Sequence, residues 1–362
     1  MLKDNLLPKR YFYTLDGIRG IAALLIVLRH TTSFFGTISF QESYLAVDIF
    51  FVLSGVVIAN AYEQRLYSTL SFKQFFQIRF ARLYPLYILG TTITILSIFL
   101  GVTGVEHNKH FLILTLLALL MLPNFVGDSQ ALYPYDTPAW SLFFELVGNL
   151  IYAGFIRFLS IRSLLLIIIV SAIGLVFSIS IYHLGLDVGW TVKTIPAGFF
   201  RVGYSFFFGV LLFRLFSMGI LDNIFVINRY PIVALCGILG LVAAFLTAKP
   251  AYEGLFDLFS VIVAFPPIIY LAMHIQPQGL WERACKFLGT ISYAVYVIHY
   301  PFGRLIEGLM KNKLHVSVNS YAHFSGFVFI LLLVLLCWFI DIIYDTPFRQ
   351  FLLRNPFNST SK

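Results

Sequence analysis

Residues 18–35 read IRGIAALLIVLRHTTSFF, a predominantly apolar run whose only ionisable residues are two arginines and one histidine. A membrane-spanning helix needs about 20 predominantly apolar residues, because the hydrocarbon core of a bilayer is about 30 Å thick. Nine further runs of this kind follow along the chain. The ten predicted spans cover residues 18–35, 47–62, 83–100, 140–158, 164–184, 197–216, 231–248, 255–274, 287–306 and 321–343.

The composition excludes an ordinary soluble protein. Of the 362 residues, 59% are hydrophobic and 12% are charged, whereas soluble domains carry about 25% charged residues. A soluble fold would expose much of this apolar side chain to water, but a bilayer accommodates it. The sequence therefore predicts an all-α, polytopic transmembrane helix bundle. We expect one integral membrane domain over residues 1–362, with its spans within about 13–343 and a polar tail at 355–362.

Basic residues in the short connections predict the orientation, because Lys and Arg accumulate on the cytoplasmic side. This rule places both the N-terminus and the C-terminus inside, which requires an even number of spans. The run at 111–125 is short for a span, so we interpret it as a re-entrant or surface segment beside about ten spans. The stretch 63–82, with arginines and phenylalanines interleaved, is predicted to lie as a basic amphipathic segment in the cytoplasmic interface.

The net charge of +8 comes mostly from these connections. The chain has no Lys/Arg run and no nucleic-acid-binding module, so we expect no nucleic-acid partner. Cys236, Cys285 and Cys337 lie in or beside apolar runs without metal-ligand spacing, and we expect no metal site.

Arg19 and His30 lie eleven positions apart in the first span. Eleven residues of helix rise about 16 Å and make close to three turns, so both side chains point to nearly the same face. An imidazole deep in a bilayer suits general-base chemistry near neutral pH. The alternative is a histidine at a helix end that hydrogen-bonds a neighbour in the interface.

Arg79 and Arg82 form a pair three residues apart at the inner end of the third span, so they share a helix face. Two guanidinium groups on one face suit phosphate, which they bind in a bidentate geometry. The alternative is that the pair only sets the orientation and contacts lipid head groups.

Four ionisable residues fall at a similar depth toward the outer side of their spans: Asp48, Glu145, Arg201 and His299. Polar residues in a membrane are costly and mark functional cavities, so we expect one shared polar cavity. Asp48 is predicted to orient the His30 imidazole, and its alternative is a helix N-cap. The pattern His183-x-x-x-Asp187, which soluble acyltransferases use, is interpreted as a chance match at a span end.

Six segments in this order resemble the acyltransferase-3 family of integral-membrane acyltransferases, which includes O-antigen, exopolysaccharide and Nod-factor O-acetyltransferases. They are Leu15-Asp-Gly-Ile-Arg-Gly20, the spacing from Arg19 to His30, Val47-Asp-Ile-Phe-Phe-Val-Leu-Ser-Gly55, Arg79-x-x-Arg-Leu-Tyr-Pro85, Trp140-Ser-Leu through Glu145, and Leu288-Gly-x-Ile-Ser-Tyr293 through His299-Tyr-Pro301.

The resemblance implies a multi-pass enzyme of the cell inner (cytoplasmic) membrane. This enzyme would transfer an acyl group from an acyl-CoA donor to a sugar or glycolipid hydroxyl, and the family's most common acyl group, acetyl, implies acetyl-CoA as the donor. It implies that His30 is the base or acyl carrier, and that Arg19, Arg79 and Arg82 bind acyl-CoA at the cytoplasmic face. The acceptor is then expected on the outer side, near Glu145, Arg201 and His299, with Asp48 beside His30.

The family's acidic-Gln stretch is reduced here to Glu145, and we expect no SGNH-hydrolase-like domain of the kind that some members carry.

A transporter or flippase is the second function class that these intramembrane polar residues permit. Paired halves with broken helices, which many transporters show, are not visible in the sequence. The predicted arginine cluster favours a cytosolic donor that carries phosphate. The acceptor glycan and the oligomeric state stay open.

Overall fold

The computed structural model describes residues 10–36, 38, 40–103, 110–127, 129–183, 185–220 and 230–354. Within these ranges the chain forms helices and no strand, with one isolated antiparallel bridge between Ala131 and Thr191. The predicted all-α class is confirmed. The polar tail predicted at 355–362 lies outside the described residues.

Fourteen α-helices are present in the described part of the chain. They are α1 Tyr13–His30, α2 Thr32–Phe35, α3 Ala46–Ser68, α4 Phe72–Phe99, α5 Phe111–Leu119, α6 Trp140–Phe155, α7 Ile161–Tyr182, α8 Ile195–Ser217, α9 Pro231–Leu246, α10 Glu253–Leu258, α11 Phe265–His274, α12 Leu280–Asn312, α13 Phe324–Ile340 and α14 Thr346–Arg354. Wide π-helical turns at Phe259–Ala264 and Asp341–Asp345 join α10 to α11 and α13 to α14.

Each predicted span overlaps a helix or two consecutive helices: the first covers most of α1 and, beyond Thr31, the short helix α2, and the span at 255–274 covers α10, a π-helical turn and α11. Seven helical segments of the described chain are long and apolar enough to cross a membrane, and α9 is a shorter apolar helix. The helices α1 and α12 are more polar: α1 carries Asp16, Arg19 and Arg29, and α12 carries six acidic or basic residues along its length. The number of spans and the side of the N-terminus stay predictions. The short run at 111–125 holds α5, which has nine residues.

The stretch 63–82, for which a position in the cytoplasmic interface stays a prediction, is divided between two helices. Helix α3 continues through it to Ser68, and α4 begins at Phe72. Ser71 caps α4, since its hydroxyl accepts a hydrogen bond from the Gln74 amide while the Gln74 side chain accepts one from the Ser71 amide. The basic residues therefore lie on the ends of two long helices.

Glycines allow the closest helix contacts of the bundle. A Cβ added to Gly55 of α3 would lie 2.0 Å from the Phe206 carbonyl oxygen, and one added to Gly209 of α8 would lie 2.1 Å from that of Val52. Helix α1 packs along α12 in the same manner, with Gly20 against Leu288. Small residues at such crossings let backbones approach, which drives helix association in membranes.

Candidate active site

Helices α1 and α12 run parallel and bring two histidines together. Gly20 contacts Leu288 near one end of the pair, and His30 meets His299 about three turns further along both helices. The His30 Nδ1 atom lies 2.9 Å from the His299 Nε2 atom. His299 is fully buried, whereas His30 is exposed to a cavity.

The hydrogen bonds of this pair fix where its protons lie. The His299 Nδ1 atom is 3.1 Å from the carbonyl oxygen of Val295, which can only accept. In the neutral ring, His299 Nδ1 therefore carries the hydrogen and Nε2 has the lone pair. That lone pair accepts from His30 Nδ1–H, so the His30 Nε2 atom is left with a free lone pair. His299 thus orients His30 as a base, the task that a carboxylate performs in other histidine sites.

His30 lines a cavity of about 500 Å³, which we call the histidine cavity. Its walls are rich in aromatic rings and also carry hydrogen-bonding groups. The aromatic members are Phe40, Tyr44, Trp140, Trp190, Tyr296 and Tyr300, and the polar ones include Arg29, Thr32, Gln41, Thr137 and Asp187. A cavity with flat apolar faces and a few polar groups suits a sugar ring, which has both apolar and hydroxyl-bearing sides.

Two further cavities lead away from the histidine cavity. A middle cavity of about 140 Å³ shares Val47 and Tyr296 with it. The arginine cavity, of about 510 Å³, shares Arg19, Arg79 and Arg82 with the middle cavity. The three predicted arginines and His30 therefore line one series of adjoining cavities.

The arginine cavity is strongly basic. Its lining includes five arginines and one aspartate: Arg10, Arg19, Arg79, Arg82, Arg349 and Asp16. Arg19 pairs with Asp16 at 3.0 Å, and Arg82 contacts Asp345 at 3.5 Å. More guanidinium groups than carboxylates face this space, so an anionic ligand would be attracted to it. The sequence does not predict Arg10 and Arg349 as site residues, because neither belongs to the segments that carry the family resemblance.

Glu145 lies with the arginines and not with His30, which corrects its predicted place on the acceptor side. Its Oε1 atom accepts from Arg79 at 2.7 Å and from the Ser54 hydroxyl at 2.9 Å, in the wall of the middle cavity. The reason is helix packing: α4 lies against α6, and Arg79 is about two turns into α4, so its long side chain reaches Glu145.

Asp48 does not orient His30. Its carboxylate accepts from Arg201 Nη2 at 2.6 Å and, at 3.3 Å, from both Arg201 Nε and the Ser205 hydroxyl. The partner nitrogen of His30 is already occupied by His299. Arg201 also donates to the carbonyl oxygens of Val188 and Tyr44. This fully buried pair joins α3 to α8, and its guanidinium group lies 5.2 Å from the ring of Trp140, so it supports the cavity wall from behind.

Asp187, the second residue of the pattern interpreted as a chance match, lies at the site. Its carboxylate accepts from Arg29, the neighbour of His30, at 2.5 Å, and both residues line the histidine cavity. The sequence offered only the chance pattern as a signal, because Asp187 lies in a loop 158 residues from Arg29. Within the described ranges, no group of three or more His, Cys, Asp or Glu side chains could hold a metal ion.

Comparison with known proteins assigns the chain. A family model described as an acyltransferase domain matches residues 12–342. The chain belongs to the acyltransferase-3 family. The match includes His30, His299 and the three predicted arginines, whereas Arg10 and Arg349 of the arginine cavity lie beyond its ends. As a member of the acyltransferase-3 family with seven membrane-capable helical segments in its described part, the chain is a multi-pass membrane acyltransferase.

Relatives of this acyltransferase-3 chain occur in two bacteria and in a virus. "Protein 2 in picA locus" of Rhizobium radiobacter is 41% identical over 46% of this chain and 93% of that protein. ORF330 of Acidianus two-tailed virus, provisionally named an acetyltransferase, is 25% identical over 89% of this chain and 92% of its own length. O-acetyltransferase OatA of Staphylococcus aureus is 22% identical over 96% of this chain and 58% of that protein. No solved structure matches the chain.

Proposed function

We propose that this acyltransferase moves an acyl group, most simply acetyl, from cytoplasmic acetyl-CoA to a hydroxyl of an extracytoplasmic or lipid-linked sugar. The observation that carries the proposal is the free lone pair of His30 in a cavity that adjoins, through the middle cavity, a space lined by five arginines. A base in one cavity and an anion-binding cavity at the other end of the series match the two halves of such a reaction.

The donor's head group belongs in the arginine cavity. CoA carries three phosphate groups, which form charge-assisted, bidentate hydrogen bonds with arginine. Arg19 and His30 are separated by about 16 Å of helix, a distance that the thin pantetheine arm can bridge. The middle cavity is small, about 140 Å³, which suits that arm better than a sugar. The charged head then stays out of hydrocarbon, on the cytoplasmic side of the inner membrane.

The acceptor sugar belongs in the histidine cavity. Trp140, Trp190 and Tyr44 offer flat faces for a sugar ring, and the Arg29–Asp187 pair and Gln41 offer donors and acceptors for its hydroxyls. The name of the OatA relative, an O-acetyltransferase, supports a hydroxyl acceptor.

His30 acts as the general base in this scheme. Its Nε2 lone pair removes the proton of the acceptor hydroxyl while the oxygen attacks the thioester carbonyl carbon. When the C–S bond breaks, the imidazolium returns that proton to the CoA thiolate, giving an ester and free CoA thiol. The alternative is acylation of the same Nε2 atom before transfer. Incubation with labelled acetyl-CoA alone, followed by a rapid quench, distinguishes them, because only an acyl carrier binds label without acceptor.

Family membership favours the enzyme over the transporter or flippase alternative. The test is turnover by purified protein in liposomes supplied with labelled acetyl-CoA and a total envelope glycan fraction. We expect release of CoA thiol together with ester-linked label on glycan, removable by mild base. Translocation of glycan without thiol release would overturn the proposal.

A further inference from the structure

Tyr300 is placed to take part in the same reaction. It follows His299 in α12, lines the histidine cavity, and its ring centroid lies 5.9 Å from that of His30 at a nearly perpendicular angle. Its position brings a second titratable group into the space where His30 keeps a free lone pair.

The hydrogen bonds of the phenol define its role. Arg304, one turn further along α12, donates from Nη1 to the Tyr300 oxygen at 3.1 Å, and a guanidinium group can only donate. Thr137 donates to the same oxygen at a longer 3.5 Å. The Tyr300 oxygen therefore accepts from both neighbours. Among the residues that the structure describes, none accepts the Tyr300 hydrogen, which is free to point into the cavity.

Arg304 also holds the ring in place. Its guanidinium carbon lies 5.7 Å from the Tyr300 ring centroid, within the range of a cation–π contact. A positive charge that donates to a phenol oxygen draws electron density from the O–H bond and makes it a stronger donor.

Tyr296, one helical turn earlier in the same cavity, differs in this respect. Its hydroxyl already donates to the Pro138 carbonyl oxygen at 3.0 Å.

We propose that Tyr300 donates its O–H hydrogen bond to the thioester carbonyl oxygen during acyl transfer, and that Arg304 is the positioning residue that directs and strengthens this donor. The proposal rests on the proposed function. As the acceptor oxygen bonds to the carbonyl carbon, the carbonyl π electrons move to its oxygen, and the Tyr300 O–H stabilises that oxyanion. The charge returns to re-form the C=O bond when the C–S bond breaks, so Tyr300 ends the cycle with its proton.

This donor complements His30. His30 removes the proton of the acceptor hydroxyl that attacks the carbonyl carbon, and Tyr300 stabilises the negative charge that develops on the carbonyl oxygen. A donor that is fixed before the reaction needs no reorganisation as charge develops, and removing one such donor costs about 10²–10³-fold in kcat.

The test compares Tyr300→Phe with Tyr296→Phe in the liposome assay with labelled acetyl-CoA and envelope glycan. We expect Tyr300→Phe to lower kcat about 10²-fold or more, with the KM for acetyl-CoA within about threefold and thermal unfolding in detergent unchanged. The fall in kcat caused by Tyr296→Phe should be at least about tenfold smaller than that caused by Tyr300→Phe, because the Tyr296 hydroxyl already donates to the Pro138 carbonyl oxygen. A Tyr300→Phe enzyme with kcat near wild type, or with a changed KM and an unchanged kcat, would overturn the inference.

Arg304 provides an independent arm that keeps the phenol. Arg304→Gln should lower kcat by about tenfold or more, the effect of one lost charge-assisted hydrogen bond, and Arg304→Lys should recover part of it because lysine retains a charged donor. Equal kcat for the Gln and Lys variants would refute the positioning role. These results are separable from the proposed function: if wild type turns over and His30→Ala does not, a fully active Tyr300→Phe enzyme defeats only this inference.

Discussion

Replacing Asp48 by alanine should destabilise the fold rather than impair the chemistry directly. Both side chains of the Asp48–Arg201 pair are 0% exposed, and their closest atoms are 2.6 Å apart. Removing one partner of a buried ion pair leaves the other charge without compensation, at a cost of about 3–5 kcal/mol. The pair joins α3 to α8 behind the cavity wall, so its loss should be felt as unfolding.

Arg201→Ala should lower the free energy of unfolding more than Asp48→Ala does. Arg201→Ala leaves the Asp48 carboxylate unpaired and also removes donors from the Val188 and Tyr44 carbonyl oxygens, each worth about 1 kcal/mol. The double variant should lose less stability than the sum of the single variants, because no unpaired charge then remains. The coupling energy of this cycle should be in the upper part of the usual range of about 0.5–3 kcal/mol.

Unfolding in mixed micelles with increasing denaturing detergent measures these free energies. Asp341→Ala is the matched control, because Asp341 and Arg349 are 3.9 Å apart and partly exposed, and such pairs contribute about 0–1 kcal/mol. A stable Asp48→Ala protein that has lost turnover would refute the structural role and restore the sequence-based prediction that Asp48 acts on His30.

Three other perturbations follow from the structure. Arg79→Ala and Arg82→Ala should each raise the KM for acetyl-CoA about tenfold or more with kcat little changed. Substitution by lysine should restore the KM poorly, because lysine lacks the planar guanidinium group that binds phosphate in a bidentate geometry. Unchanged KM values would mean that the pair only sets topology. Gly55→Val should fail to fold, since its Cβ would lie 2.0 Å from a backbone oxygen of α8; wild-type thermal stability would contradict this. Burial holds the pKa of Asp136, outside the spans, well above its ordinary value, so wild-type stability should fall as the pH rises from about 4 toward that raised pKa. Asp136→Asn should flatten this fall in melting curves recorded from pH 4 to 9, and identical slopes would refute the assignment.

The helices could be predicted because the evidence for each is local. An apolar run long enough to cross a bilayer is visible without knowledge of its neighbours, and the ten runs fall on helices. The relation of Arg19 to His30 was also accessible, since both lie on α1 and helical geometry fixes their separation. Both residues line the adjoining cavities.

The pairings between helices could not be predicted in this way. His30 meets His299 across 269 residues, Arg201 meets Asp48 across 153, and Arg79 meets Glu145 across 66. Depth in the membrane suggested that the polar residues share a layer, but it does not say which helices touch. That choice is made by contacts such as Gly20 against Leu288, which set the order and register of the helices. Depth alone therefore grouped Asp48 with His30 and Glu145 with the acceptor.

Turnover by His30→Ala tests the central claim most directly. Purified wild type and His30→Ala, with His274→Gln as a control histidine that lines none of the three cavities, would be compared in liposomes with labelled acetyl-CoA and envelope glycan. We predict that His30→Ala keeps the wild-type fold and the wild-type affinity for acetyl-CoA, and that thiol release and glycan labelling both fall about 10²–10⁴-fold, the usual cost of losing a general base. A His30→Ala enzyme that retains more than about one tenth of wild-type turnover, well above that range, would contradict the account.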